Sequence, residues 1–226
     1  MPANLYRSCA AALAMAGALS TPAVRAEDTA FARSCQAMVA QASIRVVFED
    51  AVLARDNTRS LDELKALSRQ SSGPYHQVYG LTQAQAGARY AVRAAMLAHA
   101  DGRVCAVPSL DVTISVTGLT VYLARELGDN ACKRAIVDEH EQEHVAVWRN
   151  HLRAGARLLE PVLRQRLDAP FVFASAQEVK NGFRGRVDAV LKPLLRQLQD
   201  GIVAANRQID SPQSYQATGQ RLMACP

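Results

Sequence analysis

Asp138-Glu139-His140-Glu141-Gln142-Glu143-His144-Val145 contains the pattern His-Glu-x-x-His, whose chemistry requires a helix. Residues four apart lie on one helical face, a turn apart, so the imidazoles of His140 and His144 can reach one tetrahedral zinc ion. Glu141 is then the candidate base for a water activated by that ion. The flanking residues supply the helix. Asp129 or Asn130, after Gly128, is a suitable N-cap. Ala135, Ile136, Val145, Val147, Trp148 and Leu152 give an apolar set that carries the helix from about Ala131 to about Ala154. Gly155 marks a break or a close contact there. Helical pattern resumes to Leu167, with a kink or a new start at Pro161.

Upstream, the chain favours strands. Ser43–Glu49 is β-branched and aromatic, and Asp56-Asn57-Thr58 reads as a turn or loop. Ser60 with Glu63 forms a capping box for a short helix lined by Leu61, Leu64 and Leu67. Tyr75–Leu81 reads as a short strand, and Ala84–Met96 fits helix and strand equally well. Asp101-Gly102 is a turn signal. Val104–Val107, Leu110–Val116 and Leu119–Leu123 read as strands, the last two separated by a turn at Thr117-Gly118.

Downstream, Asp168-Ala169-Pro170 is a linker and Phe171-Val172-Phe173 a short apolar piece. Ser175 with Glu178 is a second capping box. It opens a long helix through Val187, Leu191, Leu194, Leu198 and Ile202, with a kink expected at Pro193. Asp210-Ser211-Pro212 is a turn into a C-terminal piece with Tyr215, Leu222 and Cys225. Strands grouped apart from helices predict an α+β fold, a small strand cluster preceding the motif helix and packed with further long helices.

The first residues carry a different message. Arg7 precedes a small, apolar run from Cys9 to Leu19, and Val24-Arg25-Ala26 is a small-x-small site. That predicts a signal peptide over residues 1–26, followed by one domain over 27–226. The apolar run is too short to span a bilayer, so no integral membrane segment is expected in the mature chain. Without Arg7 and Arg25 the net charge falls from +5 to +3. The basic residues are dispersed, with no aromatic-basic interleaving, which argues against a nucleic-acid partner. Cys35, Cys105, Cys132 and Cys225 remain, an even number that predicts two disulfide bonds in an exported chain. The expected pairing is Cys35–Cys225 and Cys105–Cys132.

A catalytic zinc site needs a third protein ligand. His151 is on the same helical face as His140, but eleven residues span roughly 16 Å, too far to share an ion. Asn150 stands where a metzincin would have its third histidine. A later carboxylate is the alternative. Glu160 follows closely in the chain, Glu178 also serves as a cap residue, and Asp188 lies between Val187 and Val190 in mid-helix. Glu178 and Asp188 are the leading candidates. Tyr75, His76, Tyr79 and Tyr122 are candidates to stabilise an oxyanion. Asp138 is a candidate to orient a ligand histidine.

His140-Glu141-x-x-His144 resembles the signature of gluzincin-type metallopeptidases. With Asp111-Val112-Thr113-Ile114-Ser115-Val116, Val121–Leu127 and Cys132 before the motif helix, the segment from Val104 to Leu152 resembles small secreted zinc-dependent proteases of bacteria. The resemblance implies a zincin-like fold, zinc on His140 and His144, Glu141 as base, and a periplasmic or secreted location. It also implies that a strand before the motif helix, Leu110–Val116 or Leu119–Leu123, takes an extended substrate by β-addition. Asn181 and Asn206 lack the glutamate partner that a conventional second helix would give them. The expected function is hydrolysis of a peptide or protein, with cell-envelope components among the candidate substrates. The alternative is a non-catalytic zinc protein, or a structural or interaction protein of the envelope.

Overall fold

The computed structural model describes residues 22–68 and 77–226, with side chains described from residue 26 onward. The order of elements is α1 (Pro22–Val39), β1 (Ile44–Glu49), β2 (Ala54–Asp56), α2 (Leu61–Ser68), β3 (Gly80–Ala98) and β4 (Val104–Leu123). A short 3-10 turn at Arg125–Leu127 leads into α3 (Ala131–Arg166), β5 (Phe171–Phe173), α4 (Ala176–Ile209) and α5 (Pro212–Met223). The fold is α+β. The leader expected over residues 1–26 lies outside the described residues as far as residue 21. From Pro22, α1 runs through the expected cleavage point after Ala26.

The five-stranded sheet is built on β4. One edge of β4 is paired along its length with antiparallel β3, from Gly80 opposite Leu123 to Ala98 opposite Val104. The other edge carries antiparallel β5 at residues 104–106, parallel β1 at 110–115 and parallel β2 at 120–122. The hairpin between β3 and β4 closes at Asp101-Gly102, with Gly102 at φ 93° and His99 N–H donating to the Arg103 carbonyl. The ambiguous segment Ala84–Met96 is strand. Its alanines favour a helix in isolation, but the backbone partners offered by β4 override that weak preference.

Leu110–Val116 and Leu119–Leu123 are one strand, not two separated by a turn. The sequence is misleading for a specific reason. Leu110, Val112, Ile114 and Val116 are buried, and beyond residue 118 the buried set is Leu119, Val121 and Leu123. The parity changes because β4 spends three steps, Thr117 to Thr120, where β3 spends two, Gln85 to Gln83. This is a β-bulge, and Gly118 at φ 62° supplies the left-handed residue. The extra residue keeps both halves of the apolar pattern facing the helices.

Two long helices cover that face. α3 is 36 residues, about 54 Å, and runs through Gly155 and Pro161 without a new start. α4 runs through Pro193 in the same way. Gly155 is a close contact: a side chain there would strike Leu198 of α4. Reciprocally, a Cβ on Gly201 would lie 2.6 Å from Nε2 of His151. These pairs advance along α3 as they retreat along α4, so the helices are antiparallel. One apolar core joins them to the sheet through Leu152, Leu163, Val187, Leu191 and Ile202. Each such side chain contributes about 1.5–3 kcal/mol on burial.

The cysteines pair as Cys35–Cys105 and Cys132–Cys225, which corrects the expected pairing. Cys105 points into a small cluster with Phe31 and Cys35 of α1, so the first bond fastens α1 to the sheet. The Cα separation is 6.1 Å for this pair and 5.7 Å for the second, both within the usual span. The second ties the first turn of α3 to the chain beyond α5. Loop direction, which spacing does not encode, decides the partners. Among the described residues no helix is long and apolar enough to cross a membrane.

Candidate metal centre and cleft

Asn130 caps α3, its side chain accepting from Lys133 N–H at 2.9 Å. About three turns beyond the cap, His140 and His144 project from one face, their ring centroids 5.1 Å apart. The antiparallel packing brings the end of α4 to this face. Ser211 caps α5, with Pro212 in its first turn, so the chain turns sharply after Ile209. That turn presents Asp210 to the histidines.

Oδ1 of Asp210 lies 3.1 Å from Nε2 of His144 and 3.4 Å from Nε2 of His140. It also accepts a hydrogen bond from the Tyr215 hydroxyl at 2.9 Å. His140, His144 and Asp210 form a compact group of potential metal ligands. Glu178 and Asp188 are not in it. Glu178 accepts from Ala174 N–H and completes the cap of α4. Asp188 accepts from the Tyr90 hydroxyl at 2.7 Å and pairs with Lys192 at 2.9 Å. Among the described residues there is a second acidic group, Asp28, His99 and Asp101, but Arg103 already bridges its two aspartates.

The hydrogen bonds around His144 fix its polarity. Asn206 Nδ2 donates to the Ile202 carbonyl at 2.9 Å, so Asn206 Oδ1 is an acceptor. His144 Nδ1, 2.7 Å away, therefore donates. In the neutral ring Nε2 then carries a lone pair, aimed at a carboxylate oxygen. That arrangement calls for positive charge between them, from a proton or a metal ion. Four ligands at 2.0–2.1 Å around zinc are about 3.3 Å apart. The Nε2–Oδ1 spacings match this edge, and the donor types suit zinc. The residues present thus fit the ion that the motif implies.

Glu141 is 4% exposed. Its Oε2 accepts from the Thr82 hydroxyl at 2.7 Å, and the same hydroxyl lies 3.1 Å from the Glu141 carbonyl. The start of β3 presses on it: a Cβ on Gly80 would lie 2.5 Å from Glu141 Oε1. Burial pushes the Glu141 carboxyl above its usual range, against the opposing pull of Thr82 and the two histidines. For His144, burial acts downward, but the bonds to Asp210 and Asn206 and the nearby negative charges raise it on balance. Burial acts upward on Asp210, and the bonds from His140, His144 and Tyr215 outweigh it and hold the group well below the usual carboxylate range.

These groups open into a cleft of about 690 Å³. Tyr79, Gly80 and Thr82 form one wall, Trp148 and Ile202 another, and Tyr215, Thr218 and Leu222 of α5 a third. Tyr79 lines it with its hydroxyl donating to Gln77. Tyr122 is half-buried in β4, and Tyr75 and His76 lie outside the described residues. Asp138 pairs with Arg55 at 2.5 Å rather than with a histidine. His151 packs on Gly201, and Glu160 pairs with Arg164 and accepts from Val46 N–H. Both edges of β4 are paired, so neither Leu110–Val116 nor Leu119–Leu123 offers a free edge. β3 pairs only with β4 among the described residues, and its first residues reach the cleft.

Sequence reasoning missed Asp210, Asn206, Tyr215 and Thr82. Asp210 read as a turn residue, and no local signal separates a turn aspartate from a ligand. The antiparallel register of α3 and α4 is the information that finds it. No family model, curated protein or solved structure matches the chain.

Proposed function

We propose that the protein is an exported zinc-dependent peptidase, with His140, His144 and Asp210 as the metal ligands and Glu141 as general base. The observation that carries the reading is the convergence of two Nε2 atoms on Oδ1 of Asp210 at 3.1 and 3.4 Å, beside a buried carboxylate on the same helix turn. A zinc ion bound there supplies Lewis acidity, which lowers the pKa of water and polarises a carbonyl.

The rest is done by the chain. Asn206 holds the ring of His144 with Nε2 inward, as outer hydrogen bonds do at metal sites. The Tyr215 hydroxyl steadies Asp210. Thr82 fixes the carboxylate of Glu141, and burial raises that group's affinity for a proton, which suits a base that takes a proton from water and passes it to a leaving amine. The edge of β3 at Gly80–Gln83, unpaired among the described residues, can hold an extended peptide by strand addition. Two disulfide bonds and the leader expected over residues 1–26 support a periplasmic or secreted location.

The test is Glu141→Gln beside wild type, each loaded with one equivalent of zinc and incubated with unfolded casein. The variant is expected to keep its zinc and to lose at least about 100-fold in cleavage rate. Equal cleavage by the two proteins would reject Glu141 as base. Zinc-loaded wild type that leaves casein and a mixed peptide library intact would favour a non-catalytic metal protein.

A further inference from the structure

The last two turns of α4 present one stripe to the cleft. Val203, Asn206, Arg207 and Asp210 are spaced at i, i+3, i+4 and i+7, and all four line it. Asn206 holds His144 and Asp210 faces both histidines. Arg207 has no such task. It is the one lysine or arginine in the described lining of the cleft, and no hydrogen bond or ion pair engages it among the described residues.

Neighbouring cations are committed elsewhere. Arg221 pairs with Glu139, Arg55 with Asp138, and Arg149 and Arg153 with Asp50. Arg207 forms no ion pair with Asp210, three residues on, whose Oδ1 faces His140, His144 and Tyr215. Its Cβ is about 5–6 Å from that of Asp210 by helical geometry, so the long side chain starts beside the candidate metal centre.

Charge decides what such a residue would meet. A divalent ion held at His140, His144 and Asp210 would balance the carboxylates of Glu141 and Asp210 and leave Arg207 as net positive charge on the cleft wall. Val203, 43% exposed, and Trp148 provide apolar surface in the same cleft. A guanidinium on an apolar wall is well suited to a carboxylate, which it can bind by two parallel hydrogen bonds.

We infer that Arg207 is a specificity-determining residue that binds a substrate carboxylate close to the scissile bond. The inference rests on the peptidase reading above. The carboxylate can belong to an acidic side chain or to the C-terminus of the peptide.

The test uses the zinc-loaded full chain and three peptide hydroxamates, whose hydroxamate group anchors to the metal. One is a neutral leucinamide, one carries an aspartyl side chain, and one ends in a free carboxylate. The aspartyl probe is made with its side chain on either side of the anchor. Calorimetric titration of wild type is expected to show at least one acidic probe binding roughly tenfold or more tighter than the neutral one. That advantage should vanish in Arg207→Gln and invert in Arg207→Glu. The probe that shows it identifies the source of the carboxylate. Zinc stoichiometry checks that each variant is folded. Equal affinity for all probes in wild type, or an advantage that survives in Arg207→Gln, overturns the inference and leaves the peptidase reading standing. Failure of every hydroxamate to bind zinc-loaded wild type overturns both.

Discussion

Nε2 of His144 and Oδ1 of Asp210 are 3.1 Å apart, across 66 positions of sequence. Nδ1 of the same ring donates to Asn206, so a lone pair and a carboxylate oxygen face one another unless a cation lies between them. If that cation is a metal ion rather than a proton, Asp210 is a ligand of equal standing with the histidines. Asp210→Ala should lower zinc affinity by more than the roughly 10–100-fold typical of outer-shell changes. Glu178→Ala and Asp188→Ala should leave it within about twofold. Competition titration with a chromogenic chelator measures all three, and a loss confined to Asp188→Ala would return the third ligand to mid-helix.

Asn206 predicts a smaller effect of a different kind. It touches the far nitrogen of His144 and no candidate ligand atom facing the cleft. Asn206→Ala should reduce zinc affinity by about 10–100-fold, and Asn206→Asp, which keeps an acceptor, should restore most of it. The same chelator titration reads the outcome. Equal loss in both variants would mean that Asn206 contributes packing rather than orientation.

The two disulfide bonds separate stability from the site. Each closes a long loop, with separations of 70 and 93 residues, so each removal should cost about 2–4 kcal/mol in denaturant unfolding. Of the two, Cys132–Cys225 is the one that anchors the chain just beyond α5, a helix that has no buried residue of its own yet carries Tyr215 to Asp210. Replacing Cys132 and Cys225 by serine should therefore lower zinc affinity as well. The same change at Cys35 and Cys105 should not. Unchanged affinity in both double variants would remove α5 from the account.

The bulge in β4 can be tested through its glycine. Gly118 has φ 62°, and nothing stands within 4 Å of where its Cβ would be. The cost of Gly118→Ala is then conformational, about 1–2 kcal/mol. Denaturant unfolding should show that loss with an unchanged m-value.

What could be read from the sequence follows a physical line. Local hydrogen-bond chemistry was legible. Ser60 and Glu63 are a reciprocal cap, as the residue types indicate. Ser175 caps α4 through Glu178 N–H, with the Glu178 carboxylate reaching back one residue further, to Ala174 N–H, and Asp101-Gly102 is the hairpin turn. The histidine pair was legible because four-residue spacing sets geometry within one helix. Relations between elements were not. The parity change at Gly118 looks like a turn until β3 is seen bridging it. The disulfide partners depend on how loops return, and Asp210 reaches the histidines only through the register set by Gly155 against Leu198 and Gly201 against His151.

The metal centre is tested most simply by the metal content of the protein, purified without chelator, beside His144→Ala. Mass spectrometry of the elements is expected to find one zinc per chain in wild type and almost none in the variant. Equal zinc in the two proteins, or none in wild type after incubation with excess zinc, would contradict a metal centre at His140, His144 and Asp210.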